Sequence, residues 1–294
     1  VTLISGLILM VVDPILIIGL GWGLDGAGVG LVLFRFALAG LGLFFAAHQH
    51  QLIAMPTLSS VREAIGPYVA VAGPAILTQM ATPAGNYFLT RVMAPFGDDA
   101  VAAWAVVARL TVLAFGGIFA LSGAIGGIFG QNYGAGQFDR LRSIYRDALI
   151  FCLIYTLCMW AVLAILTPYI IVAFGLSGQG AHVLAAFTSV GVGGFVFVGA
   201  LFVSNAAFNN LGKPGRSALV NWIKDGVLSW PLALWLSASF GAVGVIYGQA
   251  VAGVIMGTLA ALWGWRYVAS IKTQDLAAQD APRPYPNPDR YRSR

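Results

Sequence analysis

The 294 residues are 59% hydrophobic and 9% charged, with a formal net charge of +5. A soluble domain carries about 25% charged residues, so this composition excludes one and describes a polytopic membrane protein. The basic excess lies in loops and the tail, which makes nucleic-acid binding an unneeded explanation of it.

Charge-free stretches set the number of spans, because one crossing takes about 20 mostly apolar residues. Residues 64–90, 110–138, 148–212 and 226–265 contain no Asp, Glu, Lys or Arg, and the last two can each hold two helices. Alternation at the β-barrel period is absent, so the spans are helical. The expected helices cover residues 1–20, 27–46, 67–93, 100–130, 143–172, 182–208, 217–238 and 243–266. The first starts at Val1 with no initiator Met and no basic flank of a signal peptide, from which truncation upstream is expected.

The first hairpin runs from Asp13-Pro14 through a turn at Gly26-Ala27-Gly28-Val29-Gly30 into a long apolar stretch. Trp230-Pro231 and Gly241-Ala242-Val243-Gly244-Val245 repeat that layout in the last hairpin. Such an echo is expected of a duplicated transporter, whose substrate path lies between two related bundles. Intramembrane charges are costly, so Asp13 and Arg35, about 10 and 12 Å deep, are candidates for function or for a mutual salt bridge across the hairpin. Asp13 is a candidate for binding a coupling cation.

Residues 47–66, with Pro56, Ser59, Ser60, Arg62 and Glu63, form the expected interlobe linker, and Leu58 to Ile65 can make a short interfacial helix. His48-Gln49-His50 falls here as a solvated loop, without the further ligands a metal would want. In the third helix Gln79, Thr82 and Asn86 share one face near Pro83 and Tyr87. Ser204 and Asn205 play the same part in the sixth. These polar groups either line a cavity or bond one helix to another.

Arg109 in the fourth helix has no carboxylate nearby and is expected to hold helix-end carbonyls. The fourth helix ends in Gly130-Gln131-Asn132-Tyr133-Gly134-Ala135-Gly136-Gln137-Phe138-Asp139-Arg140, where three glycines make a tight turn and Gln and Asn can cap. Cys152 and Cys158, six apart on one helix, lie on different faces and serve packing. In the seventh helix Lys224 and Asp225 point about 100° apart and each needs its own partner; Asp225 is the second coupling candidate. The tail after Thr273, rich in proline and arginine, is expected to be disordered.

Arg62, then Arg140, Arg142 and Arg146, then Lys213 and Arg216 follow the second, fourth and sixth helices, whereas the opposite loops carry Asp25, Asp98 and Asp99 against Arg91. This asymmetry puts the first set and the C-terminus in the cytoplasm.

The turn at 130–140 resembles the GQNxGAG turn and following arginine of the multidrug and toxic compound extrusion (MATE) efflux transporters. Ala102 to Arg109 is similar to the arginine-bearing helix of their bacterial DNA-damage-inducible branch. Asp13-Pro14-Ile15-Leu16-Ile17 with Gly26-Ala27-Gly28, Gly212-Lys213-Pro214 with Asn221, and Gly241 to Val245 resemble further family segments, so the likeness spans residues 5–266.

The resemblance implies an all-α polytopic protein of eight transmembrane helices: the last two helices of an N-terminal lobe (1–46), the interlobe linker (47–66), a complete six-helix C-terminal lobe (67–266) and a cytoplasmic tail (267–294). The first four helices of a twelve-helix fold would be missing. It also implies secondary active export of cationic or amphipathic compounds from the bacterial inner membrane, in exchange for protons or sodium ions and with no cofactor. Flipping of a lipid-linked oligosaccharide is the runner-up, and a fragment with no transport of its own is a third reading. The carboxylates some members carry in helices three and six of this lobe are absent, which moves coupling toward the first lobe. Neither His-Glu-x-x-His nor Gly-x-Ser-x-Gly occurs, so an intramembrane enzyme is not expected.

Overall fold

The computed structural model describes residues 2–49 and 57–279, and every regular element within them is a helix. The chain divides into two compact units, Val1–Pro67 and Tyr68–Arg294.

The N-terminal unit is built on a hairpin. Helix α1 (Thr2–Pro14) continues as a π turn (Ile15–Gly19), and α2 (Gly23–Phe44) ends in another (Phe45–Gln49). The reversal lies at Gly21 and Gly23, whose φ angles of 67° and 53° suit glycine. The cluster from Gly26 to Gly30 is therefore not the turn but the first part of α2. A methyl group on Gly26 would come within 2.9 Å of the Leu16 carbonyl oxygen, and one on Gly30 would strike the Asp13 carboxylate. Small residues at this four-residue spacing let the two backbones close on each other. His48 belongs to the final π turn and stacks on Phe44 at 5.0 Å, so it is helical rather than in a loop; His50 lies outside the described residues.

Helix α3 (Leu58–Met93) begins on a capping box: the Thr57 hydroxyl accepts from the Ser60 N–H at 3.3 Å, and the Ser60 hydroxyl oxygen accepts from the Thr57 N–H at 3.1 Å. The stretch expected to be interfacial is thus the first part of a long helix. The remaining helices are α4 (Asp98–Gly134), α5 (Phe138–Ala173), α6 (Gly178–Ala186), α7 (Val192–Asn210), α8 (Pro214–Trp222), α9 (Ser229–Phe240) and α10 (Ala242–Gln279). A π turn at Phe187–Gly191 joins α6 to α7, and another at Ile223–Leu228 joins α8 to α9. Counting joined pieces once gives eight rods among the described residues. Helix α10 runs to Gln279, well past the expected end at 266; what remains of the tail lies outside the described residues.

In the C-terminal unit α10 packs along α7 and α9, while α4 and α5 pack on α7. Glycines set these distances: a methyl group on Gly257 would collide with the Phe197 carbonyl, and one on Gly248 would lie 2.5 Å from the Ala233 nitrogen. The core joins Phe115, Phe129, Leu141, Tyr145, Val183 and Phe208, all with essentially no exposure. Three basic-loop contacts gather at one end. Arg142 donates to the Ala269 carbonyl at 2.8 Å, Arg216 lies 4.6 Å from the Tyr267 ring centre and 4.9 Å from that of Trp263, and the Tyr267 hydroxyl donates to the Leu211 carbonyl. Cys152 is buried and Cys158 exposed, and both are free thiols.

Candidate functional site

A cavity of about 290 Å³ opens inside the C-terminal unit. Thr82 and Asn86 face it from α3, and Trp104, Thr111 and Phe119 from α4. Phe187 and Gly191 come from the first π turn of the unit, Phe195 and Phe202 from α7, and Gln249 from α10. Asn221, Lys224 and Asp225 complete it from α8 and its π turn. Both π turns of the unit lie in this wall. A π turn releases backbone groups from the regular ladder and re-aims side chains, which is why such turns recur at functional sites.

One part of the cavity wall is polar. Lys224 Nζ forms an ion pair with Asp225 Oδ1, and Thr82 Oγ1 donates to Asp225 Oδ2 at 3.1 Å. The two side chains retain 12% and 7% of their exposure. The expectation of separate partners for Lys224 and Asp225 is therefore wrong. A long stem can fold back to the next residue in any helix, as Arg146 does to Asp147 at 2.9 Å in the regular α5. Next to them Asn221 donates to the Ser217 carbonyl at 2.7 Å, while the side-chain amides of Asn86 and Gln249 make no hydrogen bond among the described residues.

Aromatic rings are spread along the rest of the wall. Phe195 stacks on Phe115 with ring centres 3.9 Å apart, and Phe119 meets Phe202 edge to face at 5.2 Å. The Trp104 indole N–H is spent on Thr90 Oγ1 at 3.1 Å, so the ring offers the cavity an apolar face.

Of the expected cavity residues, Thr82 and Asn86 reach this space. Gln79 is exposed and borders a shallow groove with Ile76, Met80 and Pro83, one turn along α3 and beyond the edge of its buried face. Tyr87 is 59% exposed, with Arg91 6.0 Å from its ring centre. Ser204 is fully buried between helices: its hydroxyl shares a 2.6 Å hydrogen bond with Tyr145 and donates to the Ala200 carbonyl. Asn205 is 7% exposed, with its backbone oxygen accepting from Ser217 and its Oδ1 unpaired. These two serve interhelical packing. Trp104, Thr111 and Gln249 were not singled out; Gln249, a lone amide in the charge-free run 226–265, was detectable on the same ground as Asn86.

The intramembrane charges differ from expectation as well. Asp13 and Arg35 form no salt bridge. Asp13 Oδ1 is buried against Gly30 with no hydrogen-bond partner, whereas Arg35, five residues on and about 140° round α2, is exposed. Arg109 is exposed and holds no helix-end carbonyl among the described residues, because α4 turns its buried stripe of Ala103, Val106 and Val107 the other way.

At the 130–140 turn Gly136 adopts φ 69°, and the Gly136 and Gln137 N–H groups donate to the Tyr133 and Asn132 carbonyls at 3.0 and 2.9 Å. This crossed pair closes α4 as a Schellman cap. Gly130, Gln131 and Gly134 lie within α4; the Asn132 side chain caps Ile128 O at 2.9 Å, and Arg140 donates to Gln137 Oε1 at 2.9 Å.

The MatE family model matches residues 74–235, more than half of the chain. The chain belongs to the MatE family. Among solved structures this MatE chain resembles the Vibrio cholerae MATE transporter VcmN in the bent form, with a TM-score of 0.77 and 21% identity over 92% of the chain and 62% of VcmN. It also resembles a MATE in complex with MaL6, with a TM-score of 0.81 and 20% identity over 92% and 62% of the two chains. At these identities the likeness shows the fold. A FAD transporter of Shewanella oneidensis is 23% identical over 260 residues, 86% of this chain and 58% of that protein. An uncharacterized 21 kDa protein of Pseudomonas savastanoi is 28% identical over 74% of the chain and 72% of its own length. The chain thus spans about three fifths of the solved MATE transporters it matches. Family and neighbours are transporters, so this MatE chain is a multi-pass membrane protein of a transport family and not an enzyme.

Proposed function

We propose that the chain is the cargo-binding part of a secondary active efflux transporter of the bacterial inner membrane, with its C-terminus in the cytoplasm. It exports small amphipathic organic compounds, the class that includes the expected organic cations, by alternating access in exchange for protons or sodium ions. The observation that carries this reading is the cavity, lined by helices of one unit with aromatic and apolar side chains and one polar cluster. The relative named as a FAD transporter supports an aromatic cargo.

Of the two coupling candidates, Asp13 fits the task better. Its Oδ1 is buried with no donor, so a proton or a sodium ion would relieve a costly unpaired oxygen. Both oxygens of Asp225 are already engaged. The test is a reconstituted vesicle loaded with a fluorescent amphipathic dye, with a proton or a sodium gradient imposed in turn. Gradient-driven dye movement that disappears in Asp13→Asn supports the proposal. Full transport in that variant removes Asp13 as the coupling site, and movement of lipid-linked oligosaccharide without response to either gradient replaces export with flipping.

A further inference from the structure

The two members of the polar pair are unequally satisfied. Asp225 has a partner on each oxygen: Lys224 Nζ on Oδ1 and Thr82 Oγ1 on Oδ2. Lys224 carries three N–H donors and spends one of them, on Asp225. Its side chain is 12% exposed and lines the cavity, so two donors of a charged group are left there without a protein partner. Buried donors of this kind call for acceptors. Asn86 and Gln249 add unspent amide groups around the same space.

An organic cation fits this arrangement poorly. It would have to compete with Lys224 for oxygens that are already taken and would leave a second cation stranded beside it. We propose that Lys224 is the cargo anchor: its free donors bind an anionic acceptor group such as a carboxylate, sulfonate or phosphate, and the Phe195 and Phe202 rings hold a planar aromatic body. Asp225, braced by Thr82, is the counter-ion that the protein itself supplies to the ammonium. The cargo is an aromatic anion or zwitterion. This rests on the cavity being the cargo site of the proposed transporter.

The test uses two probes built on one ring system, acridine-9-carboxylate and the cationic 9-aminoacridine, binding at neutral pH to the protein in lipid nanodiscs with empty nanodiscs as the blank. The carboxylate is expected to bind the more tightly. Lys224→Gln should weaken it by about tenfold or more, as loss of a charge-assisted hydrogen bond does, and Lys224→Arg should restore most of it. Asp225→Asn should leave the carboxylate bound at least as tightly. Where Lys224→Gln unfolds because Asp225 is left unpaired, the double variant Lys224→Gln/Asp225→Asn keeps the site neutral and should show the same tenfold loss. Tighter binding of 9-aminoacridine that Asp225→Asn abolishes and Lys224→Gln improves overturns the proposal, and so does binding of neither probe. Because the readout is equilibrium binding, an anchor that holds in a protein unresponsive to ion gradients faults the transport reading alone.

Discussion

Gly30 lies so close to the Asp13 carboxylate that a side chain there would displace it. The hairpin of α1 and α2 therefore fixes where this buried oxygen sits. Gly30→Ala is expected to turn the Asp13 side chain aside and cost about 0.5–1.5 kcal/mol, the range for a side chain forced off its rotamer. Gly28→Ala, which meets open space, is the control. Thermal unfolding of the two variants in the same detergent checks the difference; equal melting temperatures would show that the close approach is not maintained.

Gly257 plays the corresponding part between α7 and α10, where a methyl group would strike the Phe197 carbonyl. Gly257→Ala is expected to destabilise by about 1–3 kcal/mol. Gly130→Ala, with nothing around it inside α4, should stabilise by up to about 1 kcal/mol on helix propensity. Opposite signs in parallel melts are the expected result, and a loss in both variants would contradict it.

Thr82 braces Asp225 through one hydrogen bond at 3.1 Å. Thr82→Val keeps the shape and removes the donor, so it should cost about 1.5–3 kcal/mol, the range for a hydrogen bond to a charged group. Thr82→Ser should recover most of that. Chemical denaturation of the three proteins decides, and an unaffected valine variant would mean that Asp225 finds another donor.

Arg216 sits over Trp263 and Tyr267, with Phe208 5.8 Å away. Arg216→Lys is expected to lose about 0.5–2 kcal/mol, because the compact ammonium gives up the flat stacking surface of the guanidinium. A double-mutant cycle with Trp263→Leu should show a coupling energy of about 0.5 kcal/mol or more. Strict additivity would mean that the ring and the guanidinium act independently.

The eight rods were legible because apolar runs without charge are long and well separated, as at 110–138. Helix ends were not. Expected ends fall where charge resumes, whereas α5 begins at Phe138 and carries Asp139, Arg140 and Arg142 in its first turns, beyond the apolar stretch. The π turns were hidden as well, since hydrophobicity carries no trace of a widened turn, and the pairing of Lys224 with Asp225 was hidden because helical angles leave out the reach of a long side chain. Asn86 and Thr82 were readable as cavity residues by their polarity and spacing. Ser204 has the same polarity but is sealed by Tyr145, and that distinction depends on a residue 59 positions away.

The pairing of Lys224 with Asp225 has an electrical consequence. Opposite charges on adjacent residues travel together, so in the proposed alternation of access the pair would carry no net charge through the membrane field. A single charge crossing that field exchanges about 2.3 kcal/mol per 100 mV. In the proposed exchange, current measured during turnover then reports the charge of the cargo together with that of the coupling ions, with no share from the pair.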